Sequence, residues 1–171
     1  MKYNYPTIYN KNVAFLNARP RIKRAVVLFN RYIPYFFGFT YALLWLYGAF
    51  EESFGAIDFL KIACAPAFTL LLVSVLRLAI ERERPYSEKG AKITPLKEKE
   101  NGGTSFPSRH LASAAVISMA FFPYLPAVGA LLLLCTVGLG YTRFSLGWHY
   151  PSDLFVGFAL GIAIGAVPMF F

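Results

Sequence analysis

Of the 171 residues, 57% are hydrophobic, 18% aromatic and only 15% charged, which excludes an ordinary water-soluble domain of this length. Several apolar runs approach the roughly 20 residues that a bilayer crossing needs, so the chain reads as a single all-α integral membrane helical bundle. Its formal charge of +8 then fits the basic loops and anionic headgroups of a membrane protein and implies no nucleic-acid partner.

Residues 1–31 interleave Tyr3, Tyr5, Ile8, Tyr9, Phe15 and Leu16 with Lys2, Lys11, Arg19, Arg21, Lys23, Arg24 and Arg31. No run here is long enough to cross a membrane. A basic amphipathic segment lying among the headgroups is expected, in preference to a disordered tail. No short apolar stretch with a small-residue cleavage site follows Met1, so no signal peptide is expected. Residues 32–171 are expected to form the membrane-embedded domain, with about five spans.

The first span covers residues 32–50, and the acidic turn Glu51-Glu52-Ser53 follows it. The second begins at Asp58 or Ile62 and reaches Ile80. Residues 86–106 carry Lys89, Lys92, Lys97, Lys99, Asn101, Gly102 and Gly103 and read as a loop, mobile in part. A third span from Ser108 to Tyr124 and a fourth from Ala127 to Thr142 make a hairpin around Pro123 and Pro126. The fifth, from Asp153 to Phe171, carries Gly157, Gly161 and Gly165 at four-residue spacing, a face suited to close helix packing. Cys64 and Cys135 fall inside apolar runs and read as small buried apolar side chains, not as a disulfide or a metal site.

Three polar clusters stand at the ends of these spans, all on one face if the spans alternate. Arg77 and Arg84 are seven residues apart, which on one helix puts both guanidinium groups on one side, followed by Pro85. Such a pair clamps a phosphate through paired N–H donors; a charged anchor at a helix end is the plainer alternative. The second cluster is Phe106-Pro107-Ser108-Arg109-His110, in which Ser108 suits a helix N-cap and the helix start suits an anion. The third runs from Tyr141 to Asp153 and contains Arg143, His149 and Asp153. A carboxylate one turn after a histidine can accept a hydrogen bond from one ring nitrogen and leave the other free to attack. Helix capping and solvation is the alternative for this pair as well.

Together the clusters resemble the three-part signature of the type 2 phosphatidic acid phosphatase superfamily of membrane lipid phosphatases. The matching segments are Arg77-x6-Arg84-Pro85, Pro107-Ser108-Arg109-His110 and Thr142-Arg143-x5-His149-x3-Asp153. Order and internal spacings agree over roughly residues 60–171. Three positions depart from the family pattern: Arg77 stands for lysine, Thr142 for serine and Arg109 for glycine. The resemblance implies that His149 is the nucleophile, Asp153 its orienting partner and His110 the general acid and then base. It assigns Arg77, Arg84, Ser108, Arg109 and Arg143 to the phosphoryl oxygens, with arginines neutralising charge and neither metal nor cofactor required. The implied partner is a membrane lipid phosphate or pyrophosphate, the candidates being phosphatidic acid, phosphatidylglycerophosphate and polyprenyl phosphates. The alternatives are a non-enzymatic protein that binds or moves anionic lipid, and a lipid phosphotransferase. The positive-inside bias places the site on the cytoplasmic face of the cell membrane, because Lys61 alone among the seventeen Lys and Arg residues lies toward the other face.

Overall fold

The computed structural model describes residues 4–87, 89–98 and 103–169. Among these residues six α-helices follow in order: α1 Tyr5–Asn17, α2 Pro20–Phe50, α3 Ala56–Ile80, α4 Arg109–Ala120, α5 Pro126–Ser145 and α6 Pro151–Ala166, which ends in a 3-10 turn at Val167–Met169. Prolines set three of the starts. Pro20, Pro126 and Pro151 each open a helix, where the missing N–H costs nothing, and each forces the residue before it out of the helical region. The break between α1 and α2 at Arg19 has this cause. Helix α2 then runs unbroken to Phe50, so residues 31 and 32 lie within one helix.

Helices α2, α3 and α5 are long and apolar enough to cross a membrane. Helix α6, at 16 residues, is a shorter apolar helix of ~24 Å, and α4 spans 12 residues. The core lies where these meet, around Ile33, Phe37, Leu44, Ile62, Leu111, Leu132, Leu139 and Leu154. The long helices turn a second apolar face outward, with Phe39, Leu43, Leu71, Val75, Leu131 and Leu134 exposed. An apolar exterior of this extent suits lipid. Cys64 sits on that outer face, which corrects the expectation of burial, while Cys135 is half-buried.

Helix α4 is the hub of the bundle and packs most extensively on α6, then on α5 and α3. The glycines of α6 permit this closeness. A Cβ at Gly157 would lie 2.6 Å from the Ser108 carbonyl oxygen, and one at Gly161 would lie 2.4 Å from that of Ala112.

Helix α1 turns Tyr5, Tyr9 and Leu16 inward and leaves Ile8, Lys11 and Phe15 exposed. Tyr9 is a bracket for the loop after α3. Its hydroxyl donates to the Thr94 carbonyl at 3.1 Å and accepts the Leu96 N–H at 2.9 Å. Asn12 donates to Ser145 Oγ at 3.0 Å, which ties α1 to the end of α5. The described part of the loop expected to be mobile is thus anchored from one side; Lys99, Asn101 and Gly102 lie outside the described residues.

Candidate active site

The site forms where the ends of α3 and α5 and the starts of α4 and α6 converge. Helix α3 stops at Ile80 because Glu81 adopts a left-handed conformation, with φ of 44°. Arg77 therefore sits on the last turn, whereas Arg84 lies in the following loop; the two do not share a helix face as their spacing suggested. Both are buried, and both spend donors on backbone carbonyls. Arg77 bonds Thr104 and, at 3.0 Å, Pro107. Arg84 bonds Gly103 at 3.0 Å and Trp148 at 2.8 Å. Each guanidinium carries five N–H donors, and its charge stays beside the site. Burial pushes the Arg84 pKa down, and Arg109 lowers it further, against the pull of Tyr86 and Asp153.

Helix α5 continues past Thr142 to Ser145, which places Arg143 on its last turn. Arg143 is 4% exposed, and its guanidinium lies over the Trp148 ring at 5.1 Å. Its Nε is buried with no hydrogen-bond partner among the described residues, and the same holds for Ser108 Oγ. Ser108 occupies the N-cap position of α4 but makes no side-chain cap; its backbone N–H donates to the Asp153 carbonyl at 3.0 Å. A buried polar atom without a partner costs free energy, about 1–3 kcal/mol, unless a ligand meets it.

His149 is 2% exposed in the short connection between α5 and α6. Its Nδ1 is 2.9 Å from the Ser105 carbonyl oxygen. A carbonyl only accepts, so Nδ1 carries the proton and Nε2 keeps its lone pair. Asp153, fully buried one turn on, is the more distant acceptor, with Oδ2 3.6 Å from Nδ1. That carboxylate has closer partners: Oδ1 accepts from Arg82 Nη1 at 2.7 Å and Oδ2 from the Tyr150 N–H at 2.9 Å. Burial pushes the His149 pKa down to about 4. Asp153 opposes that shift, while Arg84 and Arg143 add to it. The imidazole is consequently neutral across the physiological range.

Arg109 and His110 open α4 and are exposed. They line a cleft of about 380 Å³ whose other walls are apolar apart from Ser113, with Pro34, Phe37 and Gly38 from α2, Leu70 from α3 and Leu139 from α5. Of the candidate residues, Arg77, Arg84, Ser108, Arg143, His149 and Asp153 are thus linked by direct bonds or shared neighbours. Arg109 and His110 stand one and two residues beyond Ser108 on the cleft side.

Sequence reasoning missed three contributors. Ser105 acts through its carbonyl, which every residue has, so no side-chain pattern marks it. Arg82 lies in the spacer between Arg77 and Arg84. Trp148 directly precedes His149, offers its carbonyl to Arg84 and its ring to Arg143, and donates from Nε1 to the Lys97 carbonyl at 2.9 Å.

Fold and site together define a multi-pass helical membrane protein in which Arg84 and Arg143 lie within electrostatic reach of a buried histidine. More particularly, the chain belongs to the PAP2 superfamily, whose model matches residues 58–170. The lipid A 1-phosphatase of Rhizobium etli is 35% identical over 97 residues, covering 55% of this chain and 41% of that protein. The lipid A 1-phosphatase of Rhizobium johnstonii is 33% identical over 96 residues, covering 55% and 39%. The matched stretch thus spans about two fifths of the length of these relatives. Two crystal structures share the fold. The transmembrane PAP2 type phosphatidylglycerolphosphate phosphatase from Bacillus subtilis aligns with a TM-score of 0.66 and 22% identity over 96% of this chain and 86% of its own. LpxE of Aquifex aeolicus aligns with a TM-score of 0.60 and 24% identity over 86% of this chain and 94% of its own.

Proposed function

We propose that the chain hydrolyses a lipid phosphate, without a metal ion, through a phosphohistidine formed on His149. The observation that carries this reading is a histidine committed at Nδ1, with Arg84 and Arg143 in electrostatic reach, together with two buried polar atoms that have no hydrogen-bond partner among the described residues, Ser108 Oγ and Arg143 Nε. A tetrahedral oxyanion satisfies both atoms.

In the first step the Nε2 lone pair attacks phosphorus. The N–P bond forms as the bond to the lipid oxygen breaks, and protonated His110 gives its proton to that oxygen. Water then yields a proton to His110 and attacks phosphorus, the N–P bond breaks, and inorganic phosphate leaves with Nε2 restored. The net reaction is lipid phosphate plus water to lipid alcohol plus phosphate. With a pyrophosphate the leaving group is the lipid monophosphate. Arg77, Arg84 and Arg143 stabilise the charge that builds on the equatorial oxygens.

The largely apolar cleft beside Arg109 and His110 suits the substrate's tail, with the headgroup then at the start of α4. The exposed face of α1, with Ile8, Lys11 and Phe15, suits the headgroup layer. The basic residues of α1 and the start of α2, with the lysines of the loop after α3, favour the cytoplasmic face. Candidate substrates are phosphatidic acid, phosphatidylglycerophosphate, polyprenyl phosphates and the 1-phosphate of lipid A.

Phosphate release in detergent from this panel, with EDTA present, tests the reading. EDTA-resistant release from at least one lipid supports it, and no release by folded protein overturns it in favour of lipid binding. The panel also probes Arg109, a cation at the cleft mouth that suits a second anionic group on the substrate. The Arg109→Gly variant is expected to lose about tenfold in kcat/KM for phosphatidylglycerophosphate relative to phosphatidic acid, the worth of one partly exposed charge-assisted hydrogen bond. An unchanged ratio removes Arg109 from substrate selection.

A further inference from the structure

Helix α1 lies outside the matched residues 58–170, yet its inner face reaches the connection between α5 and α6 that carries His149. Tyr9 makes the contact. Its side chain is fully buried, stacked on Tyr5 at 5.9 Å and edge-on to Phe144 at 6.1 Å. The hydroxyl straddles Pro95, donating to the Thr94 carbonyl at 3.1 Å and accepting the Leu96 N–H at 2.9 Å. One residue further on, the Lys97 carbonyl accepts from Trp148 Nε1 at 2.9 Å. Trp148 in turn gives its own carbonyl to Arg84 Nη1 at 2.8 Å and its ring face to Arg143 at 5.1 Å. A second route is steric. Gly147, with φ of 78°, lies against the same phenol: a Cβ there would stand 2.8 Å from Tyr9 Oη and 2.9 Å from Ile93 Cδ1. Asn12 keeps α1 in place by donating to Ser145 Oγ at 3.0 Å and accepting from the Tyr141 hydroxyl at 3.1 Å.

We propose that Tyr9 is a positioning residue for the active site, which holds the segment from Thr94 to Lys97 so that Trp148 keeps Arg84 and Arg143 in place. The inference rests on the phosphatase reading above. In that reading the two guanidinium groups meet charge that grows in the transition state, so their placement governs turnover more than binding. A loop lacks the backbone ladder of a strand, so two hydrogen bonds from a packed helix go far toward fixing its path.

Tyr9→Phe keeps the ring and its stacking and removes only the hydroxyl. The chain has two tryptophans, which makes fluorescence a local probe. Trp148 reports on the site. Trp45 packs on Phe59 at 5.4 Å. Phe59 stands roughly 27 Å along α3 from Arg77, so Trp45 reports on the opposite end of the bundle.

In a Trp45→Phe background, Tyr9→Phe is expected to raise acrylamide quenching of Trp148 about twofold or more, because the indole loses its acceptor on Lys97 for part of the time. In a Trp148→Phe background, quenching of Trp45 is expected to stay level. Well below the melting temperature a merely structural role leaves both tryptophans as they were, because the unfolded fraction is negligible there. With both tryptophans present, Tyr9→Phe is expected to lower kcat on short-chain phosphatidic acid about fivefold, the effect of one lost hydrogen bond, with KM changed less than about twofold. Unchanged quenching of Trp148, an equal rise at Trp45, or unchanged turnover overturns the proposal. Should Tyr9→Phe fail to fold, Asn12→Ala releases α1 from Ser145 and Tyr141 and is expected to give a smaller rise at Trp148 alone; no rise there overturns the proposal equally. Phosphate release from no lipid by the unsubstituted protein defeats the phosphatase reading and this inference with it, whereas unchanged quenching defeats this inference alone.

Discussion

Replacing His149 by alanine is expected to lower turnover by at least about 10⁴-fold while lipid-phosphate binding changes little. The first effect follows from removing the atom that forms the covalent bond, since loss of a nucleophile in comparable covalent sites costs about 10⁴–10⁶ in kcat. The second follows because Arg77, Arg84 and Arg143 are tied to Thr104, Pro107, Gly103 and Trp148, none of which depends on the imidazole. Alanine also leaves a void and strips the Ser105 carbonyl of its partner, so some loss of stability accompanies the loss of rate. His149→Asn separates the two, because the asparagine amide can still donate toward that carbonyl. Inactive variants that fold and retain binding locate the defect in the chemistry. Turnover within about tenfold of the unsubstituted protein would show that another group is the nucleophile.

The second large effect is structural. Gly161→Val is expected to disrupt the joint on which α4 and α6 meet. A Cβ at this position would stand 2.4 Å from the Ala112 carbonyl oxygen, 2.7 Å from Ala115 Cβ and 3.0 Å from the Val116 N. Two of these are backbone atoms in the middle of α4, so no flexible side chain can yield and the helices must part. Overpacking of this kind costs about 1–3 kcal/mol or more. In a chain of this length about 1 kcal/mol lowers the midpoint by about 2–4 °C. The fraction remaining monodisperse in detergent after heating is therefore expected to fall at a temperature lower by about 5 °C or more. Activity should fall as well, because α4 begins at Ser108 and α6 carries Asp153. A variant with unchanged heat resistance would mean that the two helices are not packed this closely.

Much of the fold was legible because apolar length and proline placement are local signals. The runs now seen as α2 to α6 were marked by composition, and Pro126 and Pro151 fixed two of their starts. That the helix of the first span extends back to Pro20 was not legible, because cations at the first turns of a long helix look, in sequence, like a separate segment. The end of the second span at Ile80 agrees with α3, but the seven-residue spacing of Arg77 and Arg84 suggested a shared helix face that Glu81, a residue with no intrinsic preference for positive φ, breaks. The bracket from Tyr9 to Thr94 joins residues 85 positions apart, and no periodicity reports a contact of that range.

In the site, the residues that carry charge or a ring nitrogen, Arg82 excepted, announced themselves by type and spacing. Those that act through the main chain did not. The Ser105 carbonyl, which fixes the His149 tautomer, became visible only with the hydrogen bonds in hand. The i, i+4 spacing of His149 and Asp153 marked their ion pair at 3.6 Å, but spacing cannot show that Arg82 shares the same carboxylate.

In the proposed mechanism the phosphoryl group rests on His149 between its two transfers. The direct measurement is a rapid acid-free quench of the protein with phosphate-labelled lipid, followed by peptide mapping of the label. The expected result is a label stable in alkali, lost in acid as a phosphoramidate is, and confined to the peptide containing His149. Stoichiometric label on another residue, or turnover with no labelled protein at any quench time despite saturating lipid, would contradict it.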